Sequence, residues 1–246
     1  MLYLVLWIVG ITSFSLFGAF YVRKYDKPDA LVALYVTFVI LSQIIATKIG
    51  EFNLGFITVT APAAVLIYAV TYLLTDVVNE KFGRRETHRM VFIAFACQVA
   101  MVFFIWLATV IKPAPIWPRQ EAWESIMGLV PRITAASLVA FFASENLDAV
   151  LFDLFKRLTK GRHLWMRNAF SSIPSLTVDT FVFITIAFYG ELPLGALIQG
   201  QIVTKYLVGL ISIPFMYFNR WVIFGLRKGV APSPLATNDQ KPASHE

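Results

Sequence analysis

The chain has 246 residues, of which 58% are hydrophobic and 15% charged, with a formal net charge of +6. An ordinary soluble domain carries roughly 25% charged residues, so this composition cannot clothe a soluble surface. The excess of Lys and Arg falls in blocks between apolar runs, the pattern of cytoplasmic loops rather than of a nucleic-acid interface.

Seven runs approach the roughly 20 apolar residues that cross a hydrocarbon core as helix. They lie at approximately 2–22, 30–47, 57–78, 90–111, 130–151, 169–190 and 194–219. Lipid offers the backbone no hydrogen-bond partner, so each must be helical. The runs are continuously apolar, whereas a barrel strand alternates at period two. The first run lacks a basic segment before it and reads as a retained helix, not a cleaved signal peptide.

The connections at 23–29, 79–89 and 156–168 and the tail from 220 hold sixteen Lys and Arg, while the other connections hold only Lys48, Lys112 and Arg119. The basic loops alternate strictly, which predicts an N-terminus outside and a cytoplasmic C-terminus. Trp7, Trp106, Trp117 and Trp123 then fall at the outer interface and Trp165 and Trp221 at the inner one. Segment 112–129 is too polar to span and reads as an interfacial helix or a capping loop. Small residues at helix spacing, Ser42, Ala46 and Gly50, then Ala136, Ala140 and Ser144, predict close helix packing. The tail 221–246 has the composition of a disordered segment.

Cys97 is the single cysteine, and His88, His163 and His245 lie apart, with no HExxH spacing, so neither a disulfide nor a metal site is expected. No cofactor is implied. Charges inside spans are costly and face a partner or a cavity. Here they are Asp76, Arg132, Glu145, Asp148, Asp179 and Lys205, with Glu80 just past the third span. Counting about 1.5 Å per residue puts Asp179 and Lys205 near the midplane, where an ion pair is the economical reading. Asp76 with Glu80, and Glu145 with Asp148, share helix faces. With the amides of Gln43 and Asn146 these residues make a candidate substrate-binding set. No GxSxG, P-loop or HExxH accompanies them, so no catalytic residue is assigned and binding or transport is favoured over an enzyme.

Four stretches carry a family resemblance. Leu74–Arg85 (LTDVVNEKFGRR) resembles the DxxxExxGR signature of the queuosine precursor transporter family, also called vitamin uptake transporters. Arg132–Ser137 running to Asp148 and Phe152, then Val178–Phe188, then Lys205–Pro214 keep the resemblance in order. The resemblance implies an all-α integral membrane protein that carries 7-deazaguanine precursors of queuosine, 7-cyano- or 7-aminomethyl-7-deazaguanine, across the cytoplasmic membrane. It implies a six-helix core over 30–220 similar to the substrate-binding component of energy-coupling-factor transporters. Residues 1–29 would then be an additional helix and basic loop, and 221–246 the tail. By position, Asp76, Glu80, Arg132, Asp148, Asp179 and Lys205 match the family's recurring polar residues, and the flat ring of the cargo that the resemblance implies would stack on Phe141, Phe181 or Phe183. Glu145 and Leu176 depart from amides expected there.

The expected partners are a small-molecule substrate and the bilayer, with no nucleic acid. The alternative is a substrate-binding subunit needing a separate ATP-driven module, since no Walker motif is present; a homo-oligomer also stays open. An intramembrane enzyme or structural protein is the third reading.

Overall fold

The computed structural model describes residues 2–53, 57–158 and 164–207, with the side chains at 2–5, 11, 69, 76, 80, 149, 152–153, 156–158 and 164–172 excepted. Apolar runs become helices and the charge clusters sit at their ends. Helix α1 (Leu2–Tyr25) ends on Arg23 and Lys24, cations that suit a helix C-terminus. Helix α2 (Asp29–Ile45) begins on Asp29, an anion that suits an N-terminus. Next come α3 (Val65–Phe82), α4 (Arg84–Val110), the short α5 (Gln120–Met127), α6 (Leu129–Leu158) and α7 (Leu164–Phe188), followed by α8, helical over 194–207. By length and composition three helical stretches can cross a membrane: Leu6–Tyr25, Arg84–Val110 and Gln120–Asp148. Shorter apolar helices cover Asp29–Ile45, Val65–Asn79 and Ile173–Phe188.

Two features differ from expectation. The stretch read as the start of the third span is a β-hairpin. Strand β1 (Ile49–Asn53) pairs antiparallel with β2 (Thr58–Pro62), Ile49 opposite Pro62 and Asn53 opposite Thr58. The third helix therefore starts at Val65 and runs on to Phe82. The fold is thus mostly, but not wholly, helical. The second difference is the signature's glycine. Gly83 takes φ 84°, a left-handed conformation that a side chain would strain, and it alone joins α3 to α4. The expected interfacial segment is α5, which buries none of its residues. The last expected span is described only to residue 207, and the tail lies outside the described residues.

Helices α6 and α7 form the most extensive pair, while α2 packs against α1, α3, α4 and α6. The small-residue expectation holds in part: Ala46, Ala136 and Ala140 lie in one buried cluster with Ile133, Phe183, Ile184, Phe188 and Leu197, whereas Gly50 falls in strand β1 and Ser144 outside the cluster. A second cluster joins Val22, Leu31, Leu74, Val78 and Met90 of α1 to α4. A third places Phe52, Val59 and Ala61 of the hairpin on Val65 of α3, with Val203 of α8 against them. Outward faces are apolar; Phe92, Phe104 and Phe142 are each more than 60% exposed. Such a surface is stable only against lipid or a partner.

The hairpin meets α8 at backbone distance. A Cβ at Gly200 would overlap the Thr60 carbonyl, whereas one at Gly195 meets nothing within 4 Å. Gly200→Ala is expected to destabilise the protein by about 1–3 kcal/mol through overpacking. Gly195→Ala should be neutral or stabilising by up to about 1 kcal/mol, as expected for a helical glycine. Thermal midpoints of the two purified variants check this pair.

Candidate functional site

One polar side chain from each of six helices joins a single chain of contacts across the bundle. On α8, Lys205 donates to Asp179 of α7 at 2.5 Å, and the two side chains are only 7% and 17% exposed. The same ammonium stands 5.8 Å from the centroid of the Tyr68 ring on α3, within cation–π range. The Tyr68 hydroxyl meets Ser137 Oγ of α6 at 2.8 Å. Ser137 in turn accepts from Gln43 Nε2 of α2 at 3.3 Å, and that same nitrogen donates to Gln98 Oε1 of α4 at 3.0 Å. Gln43 and Gln98 are both buried.

Local packing explains why these residues meet. Ser137 lies among Ile133, Ala136 and Ala140, whose small and apolar side chains let α6 approach its neighbours. Asp179 stands one turn before Phe183 on α7, and Lys205 two turns past Leu197 on α8, both members of the same cluster. A neighbouring bond, Thr177 Oγ1 to Tyr206 Oη at 3.0 Å, ties α7 to α8 a second time. The chain of contacts offers a cation, an anion, two amides and two hydroxyls within a low-dielectric interior. There, hydrogen bonds and ion pairs are strong, and any left unmade are costly.

The expected site residues divide. Asp179, Lys205 and Gln43 come together as described. Glu145 is exposed and Asp148 half-buried, yet Asp148 and Asp179 both act electrostatically on Glu145, as does His88. Asp148 Oδ1 is buried with no hydrogen-bond partner among the described residues. Asp76 and Glu80 continue along α3 beyond Tyr68 and Tyr72, but their side chains lie outside the described residues. Asn146 is exposed and turns its amide back to the Phe142 carbonyl at 2.6 Å.

Arg132 stands at the far end of α7, where its guanidinium donates to the carbonyls of Ile186 at 2.8 Å and Tyr189 at 2.6 Å. Glu191 lies 3.8 Å from it. It thereby satisfies carbonyls that the helix end would leave open, where a cation is also favoured by the dipole. Of the aromatics, Phe141 and Phe181 face outward, and Phe183 packs edge-on against Phe188 within the core. The ring that does reach the polar chain is Tyr68. Gln98, Tyr68 and Ser137 were missed from sequence. Gln98 carried a usable signal as the lone amide in an otherwise apolar run, Val91–Val110.

Among the described residues no group of His, Cys, Asp and Glu could hold a metal ion. A groove of about 450 Å³ between α2 and α4, lined by Asp29, Val36, Glu86 and Arg89, lies apart from the polar chain.

Two stability predictions follow from this geometry. Asp179→Asn and Lys205→Met each strand a buried partner and should cost about 3–5 kcal/mol. The double variant should cost less than either single change, which a thermal-denaturation double-mutant cycle would reveal. Arg132→Ala should cost about 1.5–3 kcal/mol, the worth of hydrogen bonds from a charged donor. The readout is the thermal midpoint, and a value equal to wild type would remove the capping role.

The comparisons with known proteins agree with one another. The family model described as "Putative vitamin uptake transporter" matches residues 62–219, from the end of the hairpin through α8 and beyond. A Bacillus subtilis protein named "Probable queuosine precursor transporter" is 34% identical over 162 residues, covering 64% of this chain and 71% of its own. A Haemophilus influenzae protein of the same name is 26% identical over 124 residues, half of each chain. No solved structure matches. The matched region holds every member of the polar chain except Gln43, and the chain belongs to the vitamin uptake transporter family.

Proposed function

We propose that this protein is a membrane transporter that imports a queuosine precursor, 7-cyano- or 7-aminomethyl-7-deazaguanine, and that the cargo binds at the Asp179–Lys205 pair. The names carried by its relatives favour this cargo. The observation that carries the site is the buried pair itself. A carboxylate beside an ammonium presents acceptors next to donors. The guanine-like edge of a 7-deazaguanine presents the complement, with N1–H and an exocyclic amine beside O6. Asp179 would accept both N–H groups in a bidentate arrangement while Lys205 donates to O6. The cargo then replaces the pair's mutual contact without leaving either charge bare. The Tyr68 ring, already under Lys205, supplies a face for the flat heterocycle, and Ser137, Gln43 and Gln98 hold that ring in place.

The rest of the reading follows the charge pattern. Seven spanning helices, a core over residues 30–220 and an N-terminus outside agree with the sixteen-to-three bias of Lys and Arg. The cytoplasmic membrane of a bacterium is the setting in which such a carrier works. Glu145 and Asp148 would line the cytoplasmic side of the path. Arg132 and Asn146, engaged with backbone carbonyls, fall outside the substrate set in this reading.

Uptake of labelled 7-aminomethyl- or 7-cyano-7-deazaguanine into liposomes holding the purified chain tests the proposal. Saturable uptake is expected, reduced at least tenfold in Asp179→Asn because a bidentate charge-assisted contact is lost. Absence of uptake by the chain alone, with uptake restored by a nucleotide-binding subunit, would instead favour the subunit reading. A host unable to make or import the precursor should regain queuosine in its tRNA when given the gene. Failure of that rescue by a protein shown to reach the membrane would remove the cargo assignment.

A further inference from the structure

Three buried polar atoms on the helices that carry Ser137, Asp179 and Lys205 have no hydrogen-bond partner among the described residues: Thr134 Oγ1, Thr180 Oγ1 and Gln201 Oε1. Their residues are 3%, 0% and 5% exposed, so each is more than nine-tenths buried. Burying an unpaired polar group costs about 1–3 kcal/mol, and native interiors pair nearly all such groups. Three on the helices that build the polar chain therefore call for an explanation.

Two of the positions share a direction. Gln201 precedes Lys205 by four residues on α8, and Thr134 precedes Ser137 by three on α6. Both helices begin at the hairpin end, where Leu129 and Leu194 pack on the cluster that contains Ala46 and Ala64. Both residues thus lie about one turn from the polar chain toward the hairpin. Thr180 follows Asp179 on α7 and precedes Ile184 by one turn, on the stripe that packs into that same cluster. Gln201 and Thr134 thus lie on the hairpin side of the polar chain, while Thr180 lies beside Asp179 itself. Four residues of helix rise about 6 Å, comparable to the width of a fused five- and six-membered ring.

Resting on the function proposed above, we infer that Gln201, Thr134 and Thr180 complete the substrate site and read the far edge of a bicyclic free base. Once the six-membered edge sits on Asp179 and Lys205, the pyrrole side faces these groups. That edge carries one N–H donor, which Gln201 Oε1 accepts, and the nitrile or aminomethyl group on carbon 7, to which a threonine hydroxyl hydrogen-bonds. Binding would satisfy groups that are left unpaired without cargo, so their cost in the free protein becomes affinity in the complex. These groups also set specificity. A base substituted on the pyrrole nitrogen, as in a nucleoside, lacks the donor that Gln201 would accept.

The test uses Gln201→Leu and Thr134→Val in the full chain, with uptake into liposomes and thermal midpoints measured side by side. Both variants should keep or raise the midpoint, because an unpaired polar group is replaced by an apolar one of similar size. Gln201→Leu should raise KM for 7-cyano-7-deazaguanine about tenfold, the worth of one buried hydrogen bond. An analogue methylated on the pyrrole nitrogen should compete about tenfold more weakly than the free base in the wild type, and no more weakly than the free base in Gln201→Leu. A purely structural glutamine would show no such coupling between variant and analogue. Unchanged KM in both variants, while Asp179→Asn abolishes uptake, overturns the inference and leaves the central site standing. Unchanged uptake in Asp179→Asn as well overturns both.

Discussion

Two nearly buried charges must find their partners within the protein, and the Asp179–Lys205 pair is the point at which this bundle meets that demand. Neither group can be moved without stranding the other, so α7 and α8 are held in one register at their centres. The pair is a poor way to gain stability as such, since removing two charges from water costs about as much as their attraction returns. What it does provide is a fixed acceptor and donor side by side, in a place where water cannot compete.

The rest of the bundle serves that arrangement. Alanines at 46, 136 and 140 bring α2, α6 and α7 close enough for single hydroxyls and amides to touch across helix boundaries. Arg132 closes the open carbonyls at the end of α7, so that helix keeps its full length beside α6. Gly83 reverses the chain in one residue and thereby sets α3, which carries Tyr68, directly against α4, which carries Gln98. At the opposite end the hairpin lies on α8 with only a glycine between the two backbones. Any opening of the site toward that end must therefore move the hairpin and α8 together, or part them at Gly200.

Much of this was legible in the residues. Hydrophobic length gave the helices to within a few residues for α1 and α2, because an apolar run bounded by charges has few alternatives in lipid. Depth counting paired Asp179 with Lys205 before any coordinates. The hairpin was not read, since GEFNLGFITVTAPA is apolar enough to merge with the following helix. Its β-branched alternation at Thr58–Thr60 and its Gly55 were the only local cues. The carbonyl contacts of Arg132 were not legible for a different reason. A cation near a span's end can face a ligand or a carbonyl, and only the position of the neighbouring helix decides which. Tyr68, Ser137 and Gln98 were missed because a single uncharged polar residue in a span costs little. Their meaning lies in meeting one another, and sequence spacing within one helix carries no information about that.

The central claim is that cargo replaces Lys205 as the partner of the Asp179 carboxylate. Isotope-edited infrared difference spectroscopy, with labelled aspartate and the Asp179→Asn variant to assign the band, observes that carboxylate directly. Saturation with a 7-deazaguanine precursor is expected to shift the Asp179 carboxylate stretch as ammonium contact gives way to two N–H donors. A band that stays in place while the cargo is shown to be bound would contradict the account.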